Sequence, residues 1–326
     1  MTSADASKAE RERAALRVVY DEAEFESVVH DDRPDFIMQH RGSKSRFGVE
    51  VTDLYPTESA ARLEHHPHYI TELFAGGPHM HRDDVTELKV TTVSIRDAGG
   101  NLKAEGVPAV LSQTRPDAEH GDAIAEVLRR KSAKVAGYDP SLSHLNLIIV
   151  DKFDMSLDVD DGYSTSDLLT PELRAALRET PFREVFLAAT CRDGRRVYRP
   201  LQALLLMEAF FLFMGAINES ETLMAVLDLE DLVPLFVSVM RAVDGLSVHQ
   251  GDAGGACAVY RGVGVRYAKS GMNVLDFRDH EPPPNLASPK PPLDDADLTA
   301  FVDQYSRFVT TKTFMTAMAI SEYPEA

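Results

Sequence analysis

The sequence predicts an α/β fold with a mixed sheet for residues 1–200. Three observations lead to this prediction: a charged helix near the start, a hairpin of two strands, and a second helix that precedes a strongly apolar strand. Helix, hairpin, helix and buried strand together make a mixed α/β unit that ends near Pro200.

The hairpin is the most clearly marked of these elements. Phe36–Arg41 and Phe47–Leu54 are strand-like runs, and the polar residues Gly42–Ser45 between them indicate a turn. Before them, Ser7 followed by Glu10 matches a capping box, which predicts a helix that begins there. The chain thus opens with a helix and an antiparallel pair.

A second helix and further buried strands complete this part of the chain. Gly121–Gly137 has the apolar spacing of a helix, and Leu145–Val150 is apolar enough for a strand covered on both faces. Val185–Thr190 predicts another such strand, which Asp193-Gly194 joins to Arg195–Arg199 in a tight hairpin.

Residues 57–113 predict an insertion of irregular helix followed by strands near 90–96 and 107–113. Its first half is rich in histidine: His65, His66, His68, His79 and His81. A zinc site is the functional interpretation, but the spacing matches no structural zinc site and no cysteine lies among these residues. A polar, partly exposed helical segment is the interpretation that we favour.

Residues 201–326 predict a second, mainly helical region. Leu201–Ile217 is a strongly apolar helix, and Glu219–Val243 predicts another that Pro234 bends or splits. A stiff proline-rich connector at 281–293 leads to a final amphipathic helix from about residue 294 to residue 320. The long apolar helices would support a homodimer.

The composition limits the classes of function. With 34 basic and 52 acidic residues the net charge is −18, which argues against binding of polyanions by bulk attraction. Cys191 and Cys257 make neither a disulfide framework nor a zinc site and suit a reducing compartment, so we expect a cytoplasmic protein. No signal peptide is indicated at the start, and the apolar run from Leu201 falls short of the ~20 residues that a membrane span needs.

Two carboxylates belong to the predicted hairpin. If the loop is residues 42–45, Asp35 falls opposite Thr52 and shares a face with Glu50 as a diagonal neighbour, roughly 7 to 8 Å away. Two carboxylates at that spacing can hold one hard cation. The alternative is that Glu50 points to water, because Val49 and Val51 on the opposite face already provide a buried side.

A lysine interrupts an apolar stripe on the second helix. Ile124, Leu128 and Val135 define the stripe, and Lys131 falls in its middle, with Lys134 at its edge. Such a lysine either extends its stem to solvent or meets buried negative charge. The two carboxylates upstream favour the second possibility.

The order of these short motifs is informative. In chain order they are Pro34-Asp35, Glu50-Val51-Thr52, Lys131 and Lys134 ahead of Tyr138, and the strand Leu145–Val150. This order resembles the PD-(D/E)XK nuclease superfamily over about residues 7–200. The resemblance implies a restriction-endonuclease-like αβββαβ core for residues 1–200.

The resemblance also implies roles for individual residues. Asp35 and Glu50 would be catalytic ligands of Mg²⁺ or Mn²⁺, with the main-chain carbonyl of Val51 as a further ligand. Glu12 resembles the additional carboxylate that many members carry on the first helix.

One position departs from the family pattern. Thr52 stands where the pattern has a lysine. In some members that lysine has migrated to the following helix, where Lys131 or Lys134 would supply the catalytic amine.

Two groups of basic residues are candidates for substrate binding. Arg41, Lys44 and Arg46 lie at the hairpin tip, where the assumed register sets Arg41 opposite Arg46, and Arg129 and Arg130 adjoin the helix lysines. Such local positive charge would hold phosphates despite the acidic net charge. The alternative is an ordinary solvated surface.

The function that we predict is a metal-dependent nuclease that hydrolyses phosphodiester bonds, with nucleic acid as partner, DNA favoured over RNA, and no membrane. The alternative is a catalytically inactive nuclease-fold protein that acts as a binding or interaction module. Thr52 and the −18 charge favour the alternative. The same-face carboxylates and the lysine in the apolar stripe favour the nuclease.

Overall fold

A computed structural model describes most of the chain. The described residues are 3–66, 68–97, 99–112, 117–152, 168–190, 195–243, 246–268, 271–286 and 292–311. Cys191, the predicted turn at Asp193-Gly194, part of the proline-rich connector and the end of the final helix lie outside them.

The elements alternate between helices and strands through the first half of the chain. The helices are α1 Ser3–Val19, α2 Glu58–His65, α3 Tyr69–Phe74, α4 Asp84–Glu87, α5 Asp117–Ser132, α6 Pro171–Glu179, α7 Leu201–Asn218, α8 Glu221–Val226, α9 Leu232–Ala242 and α10 Asp295–Thr311. The strands are β1 Phe25–His30, β2 Phe36–His40, β3 Arg46–Leu54, β4 Leu88–Arg96, β5 Leu102–Ser112, β6 Leu145–Asp151, β7 Glu184–Thr190, β8 Arg196–Pro200, β9 His249–Asp252, β10 Ala256–Tyr260, β11 Val263–Ala268 and β12 Gly271–Asp276.

A six-stranded sheet forms the centre of the molecule, in the order β1-β2-β3-β6-β7-β8. The first three strands are mutually antiparallel, β3, β6 and β7 run parallel, and β8 returns antiparallel to β7. The chain is therefore an α/β protein with a mixed sheet, as the sequence predicts.

Helices cover both faces of this sheet. Leu16 of α1 and Tyr20, which follows the helix, pack in one apolar cluster with Val49 and Val51 of β3. Residues of α5, including Leu128, pack in a second cluster on the other face. Because successive strand residues point to opposite faces, Glu50 is directed to the α5 side.

The register of the β2–β3 hairpin differs from the predicted one by two residues. Gln39, and not Arg41, pairs with Arg46, so residues 40–45 form a longer connection. Arg41 leaves the ladder because its main-chain N–H donates to the Glu24 carbonyl and its Nε donates to the Ala23 carbonyl. A shift of two preserves the face of every side chain, so Asp35 and Glu50 still share one.

Other differences occur at the ends of the first region. Strand β1, FESVVH, was not predicted, because only Phe25 of its residues is buried and no alternation is visible in its sequence. Helix α5 begins at Asp117, before the predicted Gly121, and a 3₁₀ turn at Val135–Gly137 follows it. The two predicted strands of the insertion are present as β4 and β5, which pair with each other in a ribbon.

The second region is less helical than predicted. Strands β9 to β12 form an antiparallel sheet in the order β12-β11-β10-β9. Glycines inside these strands weaken the sequence pattern of a strand. They are needed there because neighbouring side chains approach closely: a Cβ atom at Gly251 would lie 2.7 Å from Pro283 Cγ, and one at Gly264 would lie 3.0 Å from Phe277 Cε2. The predicted helix at Glu219–Val243 is broken before Pro234, which sits in the first turn of α9.

Helix α7 is long and apolar enough to cross a membrane by length and composition, yet 67% of its 18 residues are buried within the protein. It packs against β7, β11 and α10. This is how the core helix of a soluble protein behaves, and it agrees with the predicted buried helix. One apolar cluster includes residues on both sides of position 200, so packing is continuous across the predicted boundary.

Arg278, which follows β12, binds the first region. Its Nη1 donates to the Val19 carbonyl at 2.8 Å, and its Nη2 donates to the Tyr198 hydroxyl at 2.8 Å. Its carbonyl accepts from Nδ2 of Asn146 on β6 at 2.8 Å, and its guanidinium lies 5.3 Å from the centre of the Phe186 ring. Residues late in the chain thus complete the core of the first region.

Candidate metal centre

A cleft of about 940 Å³ opens at the carboxyl ends of the parallel strands β3 and β6, between α1 and α5. The charged residues that line it are Lys8, Arg11, Glu12, Asp32, Asp35, Glu50, Asp53, Glu58, Glu126, Arg130, Lys131, Lys152 and Arg196. In open α/β sheets, ligands bind outside the carboxyl ends of the strands. The position and charge of this cleft make it the candidate site.

Asp35 and Glu50 meet at the inner wall of the cleft. Phe36 pairs with Val49, so Asp35, one residue earlier, stands opposite Glu50. Both residues are buried, with 7% of each exposed. The Val51 N–H donates to Asp35 Oδ2 at 2.8 Å, which fixes the orientation of that carboxylate.

Lys131 reaches the same wall from α5. Its Nζ lies 2.6 Å from Glu50 Oε1 and 3.4 Å from the Val51 carbonyl oxygen. Of the two alternatives for this lysine, the structure therefore shows the one in which it meets buried negative charge, and Glu50 does not point to water. Lys134 lies beyond the end of α5, precedes a 3₁₀ turn and does not line the cleft.

The surroundings of Asp35 disfavour its ionised form. Burial, and after it the negative charge of Glu50, raise the pKa of Asp35 to about 6. The Val51 N–H and the Lys131 ammonium act in the opposite direction. The Lys131 ammonium thus offsets only part of the effect on Asp35, so added positive charge would stabilise the ionised form of Asp35.

Tyr138 is a partner of Glu50 that the sequence interpretation missed. Burial raises the pKa of its hydroxyl, and so do the charge of Glu50 and a hydrogen bond to the Glu50 carboxylate. The hydroxyl therefore stays protonated and is a potential donor to Glu50. A tyrosine after a helix is too common for its sequence position to indicate this role.

Glu12 lines the cleft from α1. His30 Nε2 lies 3.0 Å from Glu12 Oε2, and Lys8 Nζ lies 3.2 Å from Oε1. Its negative charge contributes to the raised pKa of Asp35. The structure thus brings the third predicted carboxylate to the same cleft, although basic side chains already contact both of its oxygens.

Of the basic residues predicted to bind substrate, only one lines the cleft. Arg130 lines the cleft, whereas Arg129 does not, and its Nη2 donates to the Glu172 carbonyl at 3.2 Å. Arg41, Lys44 and Arg46 are also absent from the described lining.

The direction of β3 explains why the basic residues of the hairpin tip do not line the cleft. Its first residue, Arg46, is four positions before Glu50, which is about 13 Å along a strand, and the cleft lies beyond Glu50. Arg46 instead lies 3.7 Å from Asp139. Cations from other elements line the cleft: Lys8, Arg11, Lys152 and Arg196.

Lys152 is the second residue that the sequence interpretation missed. It follows β6, and its Nζ donates to Glu64 Oε1 at 2.8 Å and lies 6.0 Å from the centre of the Tyr55 ring. The predicted strand at 145–150 ends close to it, and an ionisable residue just after a buried strand was the available signal.

The donor atoms at the inner wall fit a hard divalent cation. Asp35, Glu50 and the Val51 carbonyl offer oxygen only, and Mg²⁺ is usually bound through one or two carboxylates while it keeps several waters. Mn²⁺ accepts the same ligands. The histidines of the insertion do not offer an alternative, since no group of three ligands forms among those that the structure describes.

In comparisons with known proteins, no family model, no curated protein and no solved structure matches the chain.

Proposed function

We propose that the protein is a Mg²⁺- or Mn²⁺-dependent nuclease with a restriction-endonuclease-like core. The observation that carries this proposal is the convergence of Asp35, Glu50 and Lys131 on one wall of the cleft, with Nζ of Lys131 2.6 Å from Glu50. Thr52 leaves the motif without its lysine, and Lys131 supplies an amine at the place where one is needed.

The order of elements supports the same proposal. Helix α1, the antiparallel strands β1, β2 and β3, helix α5 and the parallel strand β6 follow one another as the αβββαβ core requires. The insertion α2–β5 lies between β3 and α5 without interrupting the central sheet. The helices cover opposite faces, which places Lys131 on the carboxylate side.

The residues of the cleft would share the chemistry as follows. A bound Mg²⁺ or Mn²⁺ supplies Lewis acidity, which lowers the pKa of water and offsets charge that develops on the phosphate. Asp35, Glu50 and the Val51 carbonyl would hold the ion, and Tyr138 would keep Glu50 in place. Lys131 would donate to the attacking water or to a phosphate oxygen. The water oxygen bonds to phosphorus, its proton passes to solvent, and the leaving oxygen is released and protonated.

Nucleic acid is the proposed substrate because basic residues line a cleft in a strongly acidic protein. Arg130, Lys152 and Arg196 lie where they would contact phosphates beside the two carboxylates. DNA is proposed ahead of RNA from the family resemblance alone.

The test is cleavage of plasmid DNA, single-stranded DNA and RNA with Mg²⁺, with Mn²⁺ and with chelator. We expect metal-dependent cleavage by the wild type and loss in Asp35→Asn, Glu50→Gln and Lys131→Met. Lys134→Met is the matched control, since it removes an amine from outside the cleft, and we expect it to retain activity.

Unchanged cleavage in all three cleft variants would contradict the proposal, as would the absence of cleavage on every substrate with either ion. The second result would favour the inactive nuclease-fold protein, which Thr52 already suggests.

A further inference from the structure

A second group of potential metal ligands lies outside the cleft. His40 ends β2, and Asp279 and His280 follow β12. One ligand atom from each residue lies within 4.8 Å of the others. His40 and His280 are 240 positions apart in the chain, and the fold brings them together.

We propose that His40, Asp279 and His280 bind a Zn²⁺ ion that fastens the segment after β12 to strand β2. Zinc sites are commonly built from histidine nitrogen and carboxylate oxygen, and these three residues supply two imidazoles and one carboxylate. Mg²⁺ prefers oxygen and gains little from imidazole. The proposed ion therefore differs in chemistry from the one proposed for the cleft.

Local contacts prepare His40 as a ligand. Its Nδ1 lies 3.1 Å from the Arg41 carbonyl oxygen, so a proton on Nδ1 is used there and the lone pair of Nε2 is free. Such a bond to the second ring nitrogen is the usual support of a metal-binding histidine. The ring also packs edge-on against Phe25, with centroids 5.5 Å apart.

The other two ligands are held by the segment that carries them. The His280 carbonyl accepts from Arg183 Nη1 at 2.9 Å, and the neighbouring residue Arg278 is anchored in the core. His280 Nδ1 lies 2.5 Å from Asp279 Oδ1, and the centroids of the His40 and His280 rings are 4.4 Å apart.

Ligands of a tetrahedral ion with bonds of about 2.0–2.1 Å stand roughly 3.3 Å apart, so metal binding requires that the 2.5 Å His280–Asp279 contact widens and that ligand atoms as much as 4.8 Å apart come closer. The His280 side chain is 55% exposed, which permits this adjustment and leaves a coordination position to water. Because none of the three residues lines the cleft, the two proposed ions are independent.

The test is a titration of the metal-free protein with Zn²⁺, followed by calorimetry and, with Co²⁺ as a spectroscopic substitute, by visible absorption. We expect one saturable ion per chain and nitrogen-ligand absorption. His40→Ala and His280→Ala should each weaken the affinity at least about tenfold. His66→Ala removes an exposed histidine elsewhere, and Asp35→Asn alters the cleft, so both controls should bind as the wild type does.

Hydrogen exchange provides a second measurement that does not depend on the stability of a variant. Zn²⁺ should slow exchange in residues 276–286 of the wild type and have no such effect in His280→Ala, which is exposed and should fold normally. The proposal is wrong if the wild type shows no saturable Zn²⁺ binding, or if both histidine variants bind it unchanged. Loss of binding in Asp35→Asn would place the ion in the cleft instead.

Discussion

Two buried aspartates of this protein have opposite surroundings. Asp84, in the insertion, is fully buried and accepts from Ser59, from two nitrogens of Arg62, from Tyr69 and from the His81 N–H.

Burial alone would raise the pKa of Asp84, but the hydrogen bonds from these groups hold it well below its usual range. Asp35 accepts from one main-chain N–H and faces Glu50, and its pKa is raised to about 6.

The comparison separates a structural carboxylate from a candidate ligand. Every lone pair of Asp84 is directed at a donor of the protein, so nothing further is required there. Asp35 accepts only the Val51 N–H among the hydrogen bonds that the structure describes, and it stands beside the like charge of Glu50, which is a costly arrangement unless a cation joins it. Perturbed carboxylates in clefts are candidates for function on this physical ground.

The largest effect that we expect is on catalysis. Asp35→Asn and Glu50→Gln should each lower the rate of metal-dependent DNA cleavage by about 10³-fold, because each removes a charged ligand of the catalytic ion. Initial rates on plasmid DNA give the measurement, and circular dichroism verifies the fold. A tenfold loss or less would mean that the carboxylate is not a ligand.

The next effect is on stability and concerns Asp84. Asp84→Asn should destabilise the protein by about 3 kcal/mol, because it breaks a buried ion pair with Arg62 and disturbs the hydrogen bonds from Ser59, Tyr69 and the His81 N–H. Urea denaturation measures the change, and cleavage by the folded variant should be normal. A variant as stable as the wild type would contradict the distinction between the two aspartates.

A smaller effect appears as a dependence of stability on pH. The pKa of Asp35 is raised from 3.8 in the unfolded chain to about 6 in the folded protein. The contribution of Asp35 to the free energy of unfolding is therefore fully present below about pH 4 and is lost as the pH rises through 6. Above pH 6, metal-free Asp35→Asn should therefore be more stable than the wild type, on the order of 2 kcal/mol. At pH 4 the two should be nearly equal.

Added Mg²⁺ should remove this difference at high pH by stabilising the wild type alone. Thermal unfolding at several pH values, with and without Mg²⁺, measures both effects. A wild type that stays more stable than Asp35→Asn above pH 6 without metal would show that the carboxylate is not strained.

The smallest effect concerns substrate binding. Arg130→Gln should weaken DNA binding a few-fold and reduce the slope of log affinity against log salt by about 1, as expected for one lost phosphate contact. Arg46→Gln, at the other end of β3, should change neither quantity. Fluorescence anisotropy over a salt series measures both. An equal loss in the two variants would indicate a diffuse basic surface.

Sequence reasoning located the inner wall of the cleft because its signals are local. The faces of Asp35 and Glu50 depend on parity alone, which survives an error of two residues in the register. Lys131 was conspicuous because a lysine in an apolar stripe needs a reason. Neither conclusion required the tertiary structure.

The remaining features depend on contacts between distant residues. The register is set by Arg41 and its bonds to residues 23 and 24, which no hairpin rule includes. The basic tip looked favourable in sequence, but only the fold shows that the cleft lies at the opposite end of β3. His30, a partner of Glu12, belongs to a strand that carries almost no apolar pattern.

The anchorage of Arg278 has a consequence for the life of the protein in the cell. A ribosome releases residues in order, so a nascent chain cannot place this guanidinium over Phe186 until about five sixths of the polypeptide has been made. The strands of the central sheet are synthesised earlier, so the contacts of Arg278 with the core of the first region form last.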